Sequence, residues 1–313
     1  HKWTKRHRYI TRKEGIMQPK QYTVESACHQ PLDVLYYAHE TDEQSSCART
    51  LIQILHGMQE HKERYHDFAE FLFTQGYDVL IHDHLGHGKS VSRLHPLGDM
   101  VSADTVLKDI DIVRKSVPAH NETVCFGHSM GSFLARIYAS LYDVDVLIAC
   151  GTGQTPGFLA HLIKLLLLTQ PSGVPLSKIQ KLITGSFTKR GESPTAWLSV
   201  DLDNQLRYRE DPLCGQPFTK EGYETLMDIV LRLNHAETYR NCSAKRILLI
   251  AGEKDPVGQY TKGVRQTEEH YLSAGKNVQS IFYPNMAHEI LLETDHLRVY
   301  QDVAHFLQKK EKH

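Results

Sequence analysis

Residues 122–141, ETVCFGHSMGSFLARIYASL, decide the fold. ETVCF reads as a short buried strand, and SFLARIYASL carries its apolar residues at helical spacing. Between them stands Gly127-His128-Ser129-Met130-Gly131, a G-x-S-x-G with a strand before it and a helix after it. That placement gives the pattern its meaning. Glycines two residues either side of Ser129 let the backbone turn sharply. The serine hydroxyl is then held at the C-terminal edge of a sheet, over a helix N-terminus whose dipole favours negative charge.

Working outward, short β-branched runs alternate with amphipathic stretches. Strands are expected at 32–38, 51–55, 78–82, 122–126, 146–150, 246–251 and 279–283, most of them the continuous apolar runs of a parallel sheet. Helices are expected over 65–72, 106–117, 130–141, 262–273 and 295–308. The alternation predicts an α/β fold with helices on both faces of the sheet. It breaks after Cys150, and the next clear strand begins only at Arg246, far beyond what a connection needs. We therefore assign 17–151 and 242–313 to the core and 152–241 to an inserted helical cap. The insert holds FLAHLIKLLLL, LSKIQKLI and YETLMDIVLRL as helices, with turn-rich sequence through WLSVD and EDPLCG.

The 313 residues are 41% hydrophobic and 23% charged, which excludes disordered and collagen-like classes. Lys+Arg 36 against Asp+Glu 37 leaves no basic surplus for nucleic acid. Residues 1–16, with six basic residues and one Glu, are read as a solvated extension without a function. No apolar run reaches the roughly 18 residues of a membrane span, so a cytoplasmic protein is expected. Six scattered cysteines without CxxC spacing read as free thiols.

A serine hydroxyl is a weak nucleophile at neutral pH, so the motif demands a histidine base and a carboxylate to orient it. Asp255 lies in GEKDPV after the strand RILLIA, and His288 lies in NMAHE after QSIFY. Both fall at strand ends, in the chain order Ser, Asp, His. Glu253 and His296 are the fallback acid and base. Two backbone donors must face the developing oxyanion. The Met130 N–H is one, and the loop His56-Gly57-Met58 after LIQIL offers the Met58 N–H as the other.

The segments LIQILHGMQEHKERYHDFAEFL, HDHLGHGKS, FGHSMGS, WLSVD with DPLCG, AGEKDPVG and YPNMAHEILLET together resemble the α/β-hydrolase superfamily. Within it they look most like the monoacylglycerol lipase and lysophospholipase group, whose bacterial members are often filed with serine aminopeptidases. The resemblance covers about residues 20–310. It implies an eight-stranded, mostly parallel sheet, a helical cap over the serine, and ester hydrolysis through an acyl-enzyme without a cofactor. One departure is Ser132, where many relatives have a second glycine.

Histidines 82, 84 and 87, with His56 and His61, do not match a metal-site spacing, so no metal is expected. Gly86 and Gly88 are read as turn formers. His56, Gly57, Trp197 and Phe218 are the substrate-contact candidates, the last two by their place in the cap. FLAHLIKLLLL is open to two readings: a helix buried against its neighbours, or an apolar lip in transient contact with a membrane surface. The expected substrate is a small apolar acyl ester. A peptidase with the same triad would need a cap carboxylate for a free amine, with Glu192, Glu210 and Asp211 as candidates, and a non-catalytic binding module is the remaining rival. Oligomeric state is left open.

Overall fold

The computed structural model describes residues 18–40 and 49–309, so the basic extension at 1–16 lies outside the described residues. Eight strands form one sheet in the order β1-β2-β4-β3-β5-β6-β7-β8. They are β1 (Lys20–Glu25), β2 (Pro31–Tyr37), β3 (Thr50–Leu55), β4 (Asp78–His82), β5 (Glu122–His128), β6 (Val146–Cys150), β7 (Arg246–Gly252) and β8 (Val278–Tyr283). β2 is antiparallel to both β1 and β4, and every other pairing is parallel. Seven strands stand where the apolar runs place them. The eighth, β1, is an edge strand, KQYTVE, with no fully buried residue, so it carries no apolar run to reveal it.

Helices α1 (His66–Thr74), α2 (Ala103–Lys115) and α3 (Met130–Leu141) precede the long insert, and α9 (Lys262–Ser273) and α10 (His296–Gln308) follow it. α2 begins three residues earlier than its apolar stripe suggests, because Ser102 caps it by accepting from the Thr105 N–H at 3.2 Å. Between β6 and β7 run α4 (Gly157–Leu167), α5 (Ser177–Thr184), α6 (Leu202–Glu210), α7 (Lys220–Arg232) and α8 (Ala236–Arg240). The sequence reading misses α6 and α8. α6, LDNQLRYRE, has too few apolar residues to form a stripe, and its start is fixed by Asp201 accepting from the Asp203 and Asn204 amides. Cys28, Cys125, Cys150, Cys214 and Cys242 are unbonded thiols, as expected, while Cys47 lies outside the described residues.

The loop after β4 is built around buried Asp83, which accepts from the Lys62 N–H and Nζ, both at 2.8 Å, and from the Lys89 N–H at 2.9 Å. Gly86 and Gly88 are turn formers at φ 78° and 51°, and a Cβ on Gly86 would lie 1.7 Å from the Asp99 carbonyl oxygen. The loop carries His84 and His87, which pack with His56 and His82 in a fully enclosed cluster: ring centroids are 4.3 Å apart for His56 and His84 and 4.9 Å for His82 and His84. Burial pushes all four down, His82 to about 3 and His87 to about 4. The folded state therefore binds fewer protons than the unfolded chain once the pH drops below the ordinary histidine value near 6.5. Stability is fully present above that value and is lost as the pH falls toward 4. Denaturant titrations at pH 7, 6, 5 and 4 should show this fall, and His82→Leu should reduce the slope by up to about 1.4 kcal/mol per pH unit. An unchanged slope in the variant would contradict the assignment.

Candidate active site

The sharp turn at Ser129 is forced by the backbone around it. Ser129 has φ 54° and ψ −123°, a left-handed conformation that a side-chain-bearing residue adopts only under constraint. A Cβ on Gly127 would lie 2.1 Å from the Gly131 carbonyl oxygen, and one on Gly131 would lie 2.1 Å from that of Leu55. Both glycines are thus steric requirements of the turn. The Ser129 N–H donates to the Cys150 carbonyl at 2.9 Å, anchoring the turn to β6. The Ser132 hydroxyl donates to the Ser129 carbonyl at 2.6 Å, so the residue that departs from the expected glycine braces the turn.

The loops after β7 and β8 meet across Gly252, where a Cβ would lie 2.2 Å from the Ala287 carbonyl oxygen. That contact brings Asp255 and His288 together: His288 Nδ1 lies 2.9 Å from Asp255 Oδ2, and Asp255 Oδ1 accepts from the Val257 N–H at 2.8 Å. Both residues are buried, and His288 lines the same cavity as Ser129. Glu253 is exposed, and His296 turns its Nδ1 to the Glu293 carbonyl at 2.7 Å, outside the cavity. The fallback pair is not brought to the site.

Met58 and Met130 both border the cavity beside Ser129. The Met130 amide stands at the first position of α3, where a helix offers it no acceptor. Gly57 approaches so closely that a Cβ would come 3.0 Å from Ser129 Cβ, and its own N–H is taken by Glu60 Oε1 at 2.6 Å. His56 does not reach the cavity: its Nδ1 holds the Gly57 carbonyl at 2.8 Å and its Nε2 accepts from the His84 N–H at 3.0 Å. Trp197 forms part of the wall, 5.3 Å from the His288 ring. Phe218 does not. It is fully buried against His87 and Tyr223, because its position before α7 turns it into the core beneath the insert.

A second set of residues escaped the sequence reading. Buried Glu60 accepts from the Gly57 N–H, from the Tyr65 hydroxyl at 2.7 Å and from His128 Nδ1 at 3.1 Å, while its other oxygen takes Arg64 Nη1 at 2.9 Å. Arg64 also grips Glu289 at 2.5 and 2.9 Å, and Asn204 of α6 donates to Glu289 at 2.7 Å. His128 Nε2 lies 3.2 Å from the His288 carbonyl. With Glu60 Oε1 beside one ring nitrogen and the His288 carbonyl beside the other, the surroundings of His128 favour its protonated form. Burial alone would push it down, but the Glu60 hydrogen bond and charge outweigh that and raise it. His61 Nε2 lies 2.8 Å from Asp211, and with Cys214 the three have ligand atoms within 4.8 Å of one another. Its Nδ1 is buried without a partner, whereas a metal-bound imidazole anchors its second nitrogen, so we read a hydrogen-bonded pair.

The cavity is about 420 Å³ and is walled mainly by apolar side chains of α4, α5 and α7, among them Leu162, Ile163, Leu182, Met227 and Val230. Against known proteins, residues 46–295 match the family model described as serine aminopeptidase, S33. A monoglyceride lipase homolog of Monkeypox virus is 27% identical over 180 residues, covering 56% of this chain and 60% of that protein. A monoacylglycerol lipase of Mycolicibacterium smegmatis is 26% identical over 267 residues, covering 83% and 88%. The chain thus spans about three fifths of the first relative and most of the second. A thermostable carboxyl esterase of Bacillus coagulans, solved with glycerol, superposes with a TM-score of 0.82 at 27% identity, covering 93% of this chain and 98% of its own. With the sheet order, the serine turn and a family match over most of its length, this chain is an α/β-hydrolase and belongs to the S33 serine aminopeptidase family.

Proposed function

We propose that the protein hydrolyses carboxylic esters of single-chain lipids, of the monoacylglycerol or lysophospholipid type, through a Ser129–His288–Asp255 triad. The observation that carries this reading is the strained Ser129 turn facing the same apolar cavity as His288, whose Nδ1 is hydrogen-bonded to buried Asp255. Ser129 Oγ attacks the ester carbonyl carbon while His288 takes its proton, and the Met58 and Met130 amides hold the oxyanion. The tetrahedral intermediate collapses, the C–O bond to the alcohol breaks, and His288 returns the proton to the departing alkoxide. Water, deprotonated by His288, attacks the acyl-enzyme and frees the acid and the serine. Asp255 fixes the imidazole tautomer and supports the imidazolium. No metal or organic cofactor enters these steps.

In this reading residues 152–241 form a cap whose apolar inner wall receives the acyl chain, with Trp197 over His288. His56, Gly57 and Phe218 then act through the loops and core they hold and not by touching substrate. Phe158, Leu165 and Leu168 stand 69%, 62% and 68% exposed on or beside α4 and do not wall the cavity. We assign them to an apolar lip that dips transiently into a lipid surface. No helix among the described residues is long and apolar enough to cross a membrane. The unbonded thiols support a reducing, cytoplasmic setting. A peptidase needs a carboxylate aimed at a free amine. Glu192, Glu210 and Asp211 do not wall the cavity, and Glu60 and Glu289, which do, are held by Arg64, which favours the ester reading.

Turnover of p-nitrophenyl esters from short to long acyl chain, run beside an aminoacyl-nitroanilide, tests the proposal. Esters should turn over, and Ser129→Ala should lower the rate by about 10⁶. A residual rate within tenfold, or turnover of the nitroanilide alone, would overturn it. For the lip, Phe158→Ser with Leu165→Ser should weaken binding to phosphatidylcholine vesicles and slow cleavage of vesicle-borne monoacylglycerol several-fold, with a smaller effect on a dissolved short ester. Equal loss on both substrates would contradict a membrane role.

A further inference from the structure

Gln59 follows Met58 in the loop after β3 and combines two unfavourable features at one position. Its φ is 58°, the left-handed region that favours glycine. Its side chain is buried, with the residue 7% exposed, and its Nε2 has no hydrogen-bond partner among the described residues. An unpaired buried amide N–H is costly, and native structures seldom keep one without a use.

The residue is also held firmly. Its carbonyl accepts from the Gly215 N–H at 2.9 Å and from the Tyr208 hydroxyl at 3.1 Å, and its Oε1 accepts from Gln180 Nε2 of α5 at 3.1 Å. The amide plane is thereby fixed while Gln59 borders the cavity that Ser129 faces. The carboxylates at that end, Glu60 and Glu289, are engaged with Arg64, and Glu289 also with Asn204. The acyl-chain wall on α4, α5 and α7 offers apolar side chains.

We propose that Gln59 is a specificity-determining, substrate-binding residue whose Nε2 donates to a hydroxyl oxygen on the alcohol half of the ester, so that the site selects polyol monoesters over alkyl esters of equal acyl length. The inference rests on the ester-hydrolase reading. The donor stands one residue beyond the Met58 amide, in the loop that borders the cavity together with Ser129.

The test compares kcat/KM for octanoylglycerol, propyl octanoate and propyl 3-hydroxyoctanoate in the parent, Gln59→Gly and Gln59→Met. Glycine relaxes the left-handed backbone, while methionine keeps the side-chain length and the strain but removes the amide. Both variants should lower the octanoylglycerol-to-propyl-octanoate ratio about three- to tenfold, mainly through KM, as expected for one neutral hydrogen bond. An unchanged ratio in both, a loss in the glycine variant alone, or a loss confined to the hydroxyacyl ester would overturn the proposal. Affinities of the same esters measured on Ser129→Ala report the preference without turnover. A parent that cleaves no ester would therefore sink the hydrolase reading, while the Gln59 assignment would stand or fall on the affinity ratio.

Discussion

The left-handed backbone at Ser129 is the constraint on which the site depends. It exists only because Gly131 presses on the Leu55 carbonyl and Gly127 presses on Gly131, contacts that a single methyl group would break. The strain is offset by burial and by a short list of backbone hydrogen bonds, of which Ser129 N–H to Cys150 and Ser132 Oγ to the Ser129 carbonyl are the nearest. The β3 loop, the β5 turn and the end of β6 are thereby fixed relative to one another, with the serine at their meeting point. Parallel register supplies the rest: His128 lies beside Cys150, and Cys150 beside Ile250, so the C-terminal ends of β5, β6 and β7 line up on one edge of the sheet.

A buried ionic network then joins those strand ends to the insert. Glu60 receives the Gly57 amide and His128, Arg64 bridges Glu60 to Glu289, and Asn204 of α6 closes on Glu289. Next to it, Glu293 accepts from the Ala287 N–H at 2.9 Å, the Ser199 hydroxyl at 2.8 Å and the Val200 N–H at 3.0 Å. Burying such an ionic network adds little net stability, but removing one charged member would leave its partner unpaired. Its consequence is geometric. The loop beside the Met58 amide, the residue before the serine, and the loop bearing His288 are held as a single unit, which is the preorganisation that the proposed acyl transfer requires.

Much of this was legible in the residues. The strand, glycine-bracketed serine and helix of 122–141 identify the turn, and Asp255 and His288 follow from chain order at strand ends, where the structure joins them at 2.9 Å. β1 escaped because this edge strand turns only Tyr22 and Val24 inward, both half-buried, too few to form an apolar run. α6 escaped because its cap, and not a hydrophobic stripe, defines it. Glu60, Arg64 and Glu289 escaped for a different reason. Glu60 and Glu289 lie 229 positions apart by their numbering, and nothing in the sequence says that two acidic residues so distant share one guanidinium. Phe218 was placed by location alone, and location in the insert does not fix the direction of a side chain.

The central claim is that Ser129 Oγ is the atom that takes the acyl group, activated by His288. Reaction with a long-chain alkyl fluorophosphonate, followed by intact-mass measurement and peptide mapping, addresses it directly. The account predicts one phosphonyl adduct, on Ser129, that forms rapidly in the parent, is absent in Ser129→Ala and forms orders of magnitude more slowly in His288→Ala. An adduct on another residue, or labelling of Ser129 at the parent rate without His288, would contradict it.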